Sequence, residues 1–508
     1  MSFLKVVDSR GNPIPSRALE SAYEGAATGR RMNTWGLSSS GPNTNLFSSL
    51  RSLRSRSRTL IRNNPLADGA VGTWAANVIG SGISPRWLLK DKELKKQIQE
   101  LWNDWVDESD HYGICSFYGQ QAQGARAMLD AGEFLGRMIN VDPEEGLSVP
   151  LQIQLLEADH LDETYNTMAN NGNEVRMGIE IDRAGRRVAY WLWKDHPGEA
   201  FISSRYTAER VRIPAEDIVH VFDPLRIGQM RGRPGLTSII VRLHEIDQYD
   251  DAELVRKKTA ALFGGFIIDN PHGIAAGEAV GRSIGDDING SPVVAIEPGT
   301  FPVLPFGKTV EFSQPVDVGQ TYDVWMRQQL RESAQGAGLT YEQFTGDLSN
   351  VNYSSIRAGL LEFRRRMMLL QFNTFVFQFC RPIARRWLDV AVLSDALTID
   401  GYFSNRRIFR RIKWRPDGWP WVDPVKDQLA EQMSVRNGFK SRSRVIAERG
   451  DDVETVDAEI KEDNDRADEL GLVFDSDPRR TSASGSIQKA IDETIQSSLN
   501  NEPKKKGE

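Results

Sequence analysis

The sequence predicts an α+β protein, mainly helical, built from several parts rather than one compact domain. Three observations predict this. Long stretches repeat apolar residues every three or four positions, the period of a helix with one face buried. Between residues 133 and 222 the pattern changes to short runs of strand type, and these follow one another without intervening helices, which argues against a βαβ architecture. At 508 residues the chain is longer than one core usually organises, and 40% hydrophobic with 26% charged residues is the composition of a folded globular protein.

Met1 to Ser49, rich in Ser, Gly, Asn and Arg, has little periodicity and is expected to be a mobile arm (1–50), with order beginning near Leu53. Arg51, Arg54, Arg56, Arg58 and Arg62 form a basic run. A solvated helix face is the preferred reading, and contact with an acidic partner or nucleic acid is the alternative. Asn63-Asn64-Pro65 breaks the run and starts a small-residue helix that ends at Gly80-Ser81-Gly82. Helices are expected over Glu93 to Trp105, with Leu94, Ile98, Leu101 and Trp105 on one face, and over Phe117 to Leu129. Strands follow at Glu133 to Val141, Leu151 to Leu156, Met177 to Asp182, Arg187 to Trp193 and Asp217 to Phe222, with a hairpin turn at Asp182-Arg183-Ala184-Gly185.

Arg231-Gly232-Arg233-Pro234-Gly235 precedes a helix from Leu236 to about Phe263, whose Leu236, Ile239, Ile240, Leu243 and Ile246 form one stripe. Gly228, Gly232 and Gly235 are expected to be flexible joints. A strand-rich insert follows from Phe266 to Gln314, with strands at Val293 to Glu297 and Thr309 to Phe312, and a helix then returns from about Gly319 to Gln335. The polar loop from Gly346 to Ser355 feeds a further helix, capped by Ser354 or Ser355, with Ile356, Leu360, Phe363, Met367, Leu370, Thr374 and Phe377 on one face. Pro382 should kink or end it. Helix continues over Arg385 to Leu393, Ile408 to Trp414 is expected to be a strand, and Gly418 to Pro424 forms a rigid aromatic hinge. Three short helices at Lys426 to Arg436, Ser441 to Glu448 and Val453 to Leu470 precede a polar tail, 475–508.

The chemistry of enzymes is not supported by these residues. Gly307-Lys308-Thr309 resembles the end of a phosphate-binding loop, but Pro302 stands where a glycine is required, so Lys308 is read as a turn residue. Gly228, Gly232 and Gly235 lack dinucleotide spacing. His244-Glu245 meets Gln248 where a zinc protease needs a second histidine. Glu157 and Asp159 are read as a solvated strand edge, with a catalytic carboxylate pair as the minority reading. No cofactor or metal is expected. Cys115 and Cys380 suggest neither a disulfide framework nor a zinc site. The formal net charge of −7 does not suit a tight grip on phosphates. The first residues lack the basic and apolar regions of a secretory signal, and Met367 to Cys380 is too short and polar for a membrane anchor.

Several segments, weak singly but specific in order, resemble the lambda-like family of tailed-phage portal proteins. They include Arg62-Asn63-Asn64-Pro65, Val78-Ile79-Gly80-Ser81-Gly82-Ile83, Gly228-Gln229-Met230-Arg231-Gly232, Tyr249-Asp250-Asp251-Ala252-Glu253-Leu254, Glu297-Pro298-Gly299-Thr300, Tyr341-Glu342, Gly346 to Arg366 and Trp419-Pro420-Trp421-Val422-Asp423-Pro424. The order of helix, β insert, returning helix, polar loop and long helix carries the resemblance. It implies a wing (51–230), first stem helix (231–265), clip (266–314), second stem helix (315–339), tunnel loop (340–354), wing helix and return (355–422) and crown (423–474).

The resemblance further implies a ring, usually of twelve copies, at one capsid vertex of the virion, assembled in the host cytoplasm. Double-stranded DNA would pass through it without sequence specificity, near Asp347, Ser349, Asn350, Asn352 and Tyr353. The clip, including Glu297, Thr300, Lys308 and Glu311, would receive the terminase large subunit and then the head-tail adaptor. The wing would meet major capsid protein and scaffold, and Asp247, Asp251, Arg327 and Arg331 would belong to the stem. The alternative is a DNA-processing enzyme of phage assembly, a nuclease or motor subunit, for which neither a P-loop nor a metal-binding cluster is found in the sequence. The acidic run from Asp451 to Glu469 is either a surface facing packaged DNA or a solvated helix, and Arg364-Arg365-Arg366 is assigned to inter-subunit ion pairing in preference to DNA.

Overall fold

The computed structural model describes residues 36, 39–199, 209–262, 283–286, 292–294, 321–349, 351, 353–419 and 424–474. Helix α1 (Pro42–Asn63) starts with a proline in its first turn, where a missing amide hydrogen costs nothing, and so begins earlier than the expected boundary at Leu53. Its inward face carries Leu46, Leu50, Arg54 and Ser57, whereas Arg51, Arg56 and Arg62 are exposed. The basic run is therefore not one solvated face. Asn64 ends α1 and caps α2 (Pro65–Ile79), its side chain accepting from the amides of Leu66 at 3.0 Å and Ala67 at 3.1 Å.

Strand β1 (Ser84–Trp87) leads into α3 (Lys92–Glu108) and α4 (Phe117–Asp130). On α3 the buried face comprises Ile98, Trp102, Trp105 and Val106, with Leu94 and Leu101 packed at its margin. Strands β2 (Glu133–Asn140), β3 (Leu151–Glu157), β4 (Thr167–Met168), β5 (Glu174–Arg176), β6 (Ile179–Ile181), β7 (Arg187–Trp193), β8 (Arg210–Pro214) and β9 (Ile218–Phe222) make two antiparallel sheets, β3-β2-β9 and β4-β5-β6-β7-β8. The hairpin at Asp182 to Gly185 joins β6 to β7, with Gly185 at φ 79° and the Asp182 carboxylate accepting from the amides of Ala184 and Arg186.

Helix α5 (Ile240–Leu262) starts after a 3-10 turn, Gly235–Ser238, rather than at the expected Leu236; the predicted stripe of Leu236, Ile239, Ile240, Leu243 and Ile246 is nevertheless buried throughout. Of the insert, β10 (Ser283–Asp286) and β11 (Pro292–Val294) are described and pair antiparallel; the expected strand at Thr309 to Phe312 lies outside the described residues. Helices α6 (Thr321–Ala337), α7 (Tyr341–Thr345) and α8 (Tyr353–Leu369) come next. Because α8 begins at Tyr353, Ser354 and Ser355 stand in its first turn rather than capping it.

A π-helical segment, Leu370–Cys380, joins α8 to α9 (Arg381–Leu393). Its i→i+5 bonds shift the register of an α-helical stripe. The predicted face therefore holds through Phe363, Met367 and Thr374 but fails at Phe377, which is 59% exposed, while Phe375, Val376, Phe379 and Cys380 are buried. Pro382 falls in the first turn of α9, so the chain changes register before the proline instead of breaking at it.

Ile408 belongs to α10 (Tyr402–Phe409), not to a strand; the strand is β12 (Ile412–Arg415), antiparallel to β1. Helices α11 (Pro424–Arg436), α12 (Arg442–Glu448) and α13 (Val453–Glu469) complete the described chain. Trp87, Trp102, Trp105, Phe117 and Trp387, from β1, α3, α4 and α9, form an aromatic centre with ring centroids 5.0–6.2 Å apart. These bulky rings, with Phe134, Phe375 and Phe379 beside them, bury enough apolar surface to join the helices to the first sheet.

Candidate functional site

Helices α5 and α6 run antiparallel and touch at several points along their length. Ser238 and Gly336 meet at one end, where a side chain on Gly336 would come within 2.3 Å of Ile239. Arg242 reaches Gln329 at 2.9 Å and pairs with Glu332. Farther along, the Tyr249 ring packs on Trp325 and Tyr322, and the Tyr322 hydroxyl donates to Asp250 at 2.6 Å, a bond that pushes the phenol up to about 12. Asp247 and Asp251 stand exposed one turn apart on α5.

The end of α6 is tied to the polar loop by side chains. Thr340 and Gln343 form a reciprocal capping box at the start of α7, each bonding the other's backbone amide at 3.2 Å, and Gly346 ends it at φ 72°. The Arg331 guanidinium lies over the Tyr341 ring, 5.7 Å from its centroid, and the Tyr341 hydroxyl donates to Asp347 at 3.1 Å. Asp347 in turn accepts from the Ser349 hydroxyl at 2.6 Å and its amide at 3.0 Å. These Ser349 bonds, aided by Tyr341 and the charge of Arg327, hold the Asp347 carboxyl below its usual range. Arg327 also bonds Asp323 at 3.1 Å.

Of the residues expected from sequence, the structure thus joins Arg327, Arg331, Asp347 and Ser349 around Tyr341, whereas Asp247 and Asp251 take no part. Asn350 and Asn352 lie outside the described residues, as do Glu297, Thr300, Lys308 and Glu311; Tyr353 is described only as the first residue of α8. Tyr341 was not among the expected site residues. The signal that could have found it is Thr340-Tyr341-Glu342-Gln343, the capping-box pattern that makes part of the expected loop a helical turn.

A second constellation, hidden from sequence, joins the two sheets. Glu133, fully buried at the start of β2, accepts from Arg54 at 2.5 Å, Arg231 Nε at 2.7 Å, His220 Nε2 at 2.9 Å and the Gly232 amide at 2.5 Å. Arg231 spends its other donors on the carbonyls of Met177, Ala158 and Leu161 at 3.0–3.2 Å. Burial alone would raise the Glu133 carboxyl, but Arg231, Arg54 and His220 hold it well below the usual range. Burial pushes His220 down to about 4, against the pull of Glu133. Gly232 is not a flexible joint here: a Cβ would lie 2.0 Å from the Gly132 carbonyl oxygen.

Glu157 and Asp159 also depart from expectation. Asp159 sits in a 3-10 turn after β3, and Arg58 Nη2 bridges it at 2.6 Å and Glu157 at 2.8 Å. With His196 these carboxylates form a group whose ligand atoms lie within 4.8 Å of one another, the arrangement among the described residues that could hold a cation. Arg58 already supplies its positive charge. The two cysteines are free thiols, and among the described residues no helix is long and apolar enough to cross a membrane. Arg364, Arg365 and Arg366 diverge, to the Trp419 ring, to Glu362 and toward Gly338.

The model of the lambda family of phage portal proteins matches residues 28–371, about two thirds of the chain and the whole run from α1 through α8. The chain belongs to that family. The probable portal protein of Halomonas phage phiHAP-1 is 28% identical over 466 residues, covering 89% of this chain and 88% of that protein. Portal protein B of Escherichia phage lambda is 20% identical, over 86% of this chain and 87% of its own. Among solved structures, a chain in the neck of a native gene transfer agent particle, computed with C12 symmetry, aligns over 78% of this chain and 93% of its own, with 15% identity and a TM-score of 0.41. As a portal protein, the chain has a structural role in the phage particle.

Proposed function

We propose that this portal protein assembles into a ring of twelve copies at one vertex of the capsid and conducts double-stranded DNA through its centre during packaging and ejection, without catalytic activity of its own. The observation that carries the reading is the antiparallel pair α5 and α6 with a β-containing insert between them and a side-chain-tied loop after them, within a family match that spans it. In this reading 231–265 and 315–339 form the stem, 340–354 the tunnel loop, 266–314 the clip, 423–474 the crown, and the remainder of 51–422 the wing.

The clip receives the terminase large subunit and then the head-tail adaptor, through Glu297, Thr300, Lys308 and Glu311. The wing meets the major capsid protein and scaffold. Asp347, Ser349, Asn350, Asn352 and Tyr353 meet DNA by backbone contact that carries no sequence preference. Assembly takes place in the host cytoplasm. Head-to-tail contacts that close a ring need two different patches on each subunit, and the multipart chain offers them. Imaging and native mass of the purified protein test this: closed rings with a central hole and no nucleotide hydrolysis are expected, whereas a monomer that hydrolyses nucleotide would sink the reading.

A further inference from the structure

The long helix and the C-terminal helices α11 and α12 border a cleft of about 450 Å³, closed on its other sides by the π segment and the 413–419 segment. Aromatic and aliphatic surfaces form its floor: Met368, Phe372, Trp414, Trp419 and Val445. Its rim carries Arg364, Lys413, Arg415, Arg444 and Arg449 against Asp417, Glu431 and Glu448, five cations to three anions and thus net +2. Gln371 also lines the cleft. It is 2% exposed, donates to the Val78 carbonyl at 2.8 Å, and leaves its own carbonyl oxygen without a partner. A buried acceptor of this kind costs free energy until a donor arrives.

The end of α13 has the opposite character. Residues 462–474 carry Glu462, Asp463, Asp465, Asp468 and Glu469 against Arg466, a net charge of −4, and continue into Leu470, Leu472, Val473 and Phe474, each 46–67% exposed. Four large apolar side chains in five residues are thus left outside their own chain's core. Ala467 alone is buried on α13, while the opposite end of the helix is fixed by Asp452 and Glu454 to Arg86, Arg415 and Lys95. Seventeen residues of helix carry the far end roughly 25 Å from that anchor.

We propose that residues 462–474 of one copy dock into the cleft between the long helix and α12 of the adjacent copy, with the apolar end on the aromatic floor and the carboxylates against the basic rim. The contact is heterologous, a knob on one side of each subunit and a socket on the other, as ring closure requires. It rests on the ring reading above and adds to it the surfaces that meet.

Paired cysteines test it. In the full-length chain, Phe474→Cys combined with Val445→Cys should give, on mild oxidation, disulfide-linked dimers and higher multimers from the ring fraction, and neither single variant should. The native thiols compete little, since Cys380 is buried and burial pushes Cys115 up to about 11. Closed rings without cross-linked multimers, or a disulfide formed within one chain, would overturn the docking and leave the ring intact; absence of rings from the unmodified protein would remove both. Phe474→Ser keeps the proposal open to refutation should the cysteine pair misfold. It is expected to raise the protomer concentration at which half the rings dissociate by about tenfold or more, and an unchanged value would also overturn the proposal.

Discussion

The Tyr341 hydroxyl donates to the Asp347 carboxylate across 3.1 Å, so the helical turn after α6 and the loop that follows it are one hydrogen-bonded unit. Since Arg331 lies over the same ring, the position of the loop is set from α6 by contacts that do not involve its own backbone.

Tyr341→Phe keeps the ring and removes the hydroxyl. Folding stability should fall by only about 1 kcal/mol, and ring assembly should persist because the apolar faces of α6 and α8 are untouched. DNA retention should fall, read as nuclease-protected DNA per particle. Full retention with a loosened loop, seen as faster amide exchange at 346–349, would show that loop position does not matter.

Glu133→Gln leaves Arg54 and Arg231 buried with their shared carboxylate neutralised. Removing one member of a buried ion cluster costs about 3–5 kcal/mol, so a large drop in denaturation midpoint is expected. Arg51→Gln, from the same helix but exposed, should stay within about 0.5 kcal/mol of the parent.

His220 gives the fold an acid dependence whose sign is fixed. In the unfolded chain the imidazole takes a proton near its ordinary value of about 6.5, whereas in the fold burial delays this to about 4. Between these values the unfolded chain binds more protons, so stability falls as pH falls, by on the order of 3 kcal/mol in total. His220→Gln should flatten the dependence across that window in denaturant titrations at successive pH values; an undiminished slope would assign it to other groups.

Asp452 holds the start of α13 through Arg86 at 2.9 Å and Arg415 at 3.5 Å. Register places these two arginines together: Ser84 lies opposite Arg415 and Arg86 opposite Lys413, so they are diagonal neighbours on one face of β1 and β12. Asp452→Asn should increase proteolytic cleavage within 453–469 several-fold, and moderate salt should do the same to the parent, since partly exposed pairs are screened.

What was legible in the sequence divides along physical lines. The α-helical periodicity that marked α2 to α6 and α11 to α13 reports local geometry, and the burial of Leu236, Ile239, Ile240, Leu243 and Ile246 follows directly from it. The fate of a charge is not local. Arg54 and Arg56 look alike in sequence, and what separates them is Glu133, 79 residues away from Arg54. Arg231 likewise reads as punctuation until its partner, 98 residues distant, is brought to it. Strands β4, β5 and β8 escaped notice because two are only two or three residues long and the third, Arg210–Pro214, is mostly exposed. Of the loop, Asp347 and Ser349 were singled out through the family resemblance, whereas their tie to Tyr341 depends on a turn geometry that only the structure supplies.

The π segment sets the rotational phase between the two halves of the long helix. Each residue of an α-helix advances the chain by about 100°, so the register change between Leu369 and Arg381 decides whether Phe363 and Phe379 can both face inward. Deleting a single residue there would not merely shorten the helix. It would turn the whole α8 end, Arg364 to Arg366 included, by roughly a quarter of a revolution relative to the aromatic centre. The segment thus acts as an indexing step, and length at this point, more than the identity of any one side chain, aims everything that α8 carries.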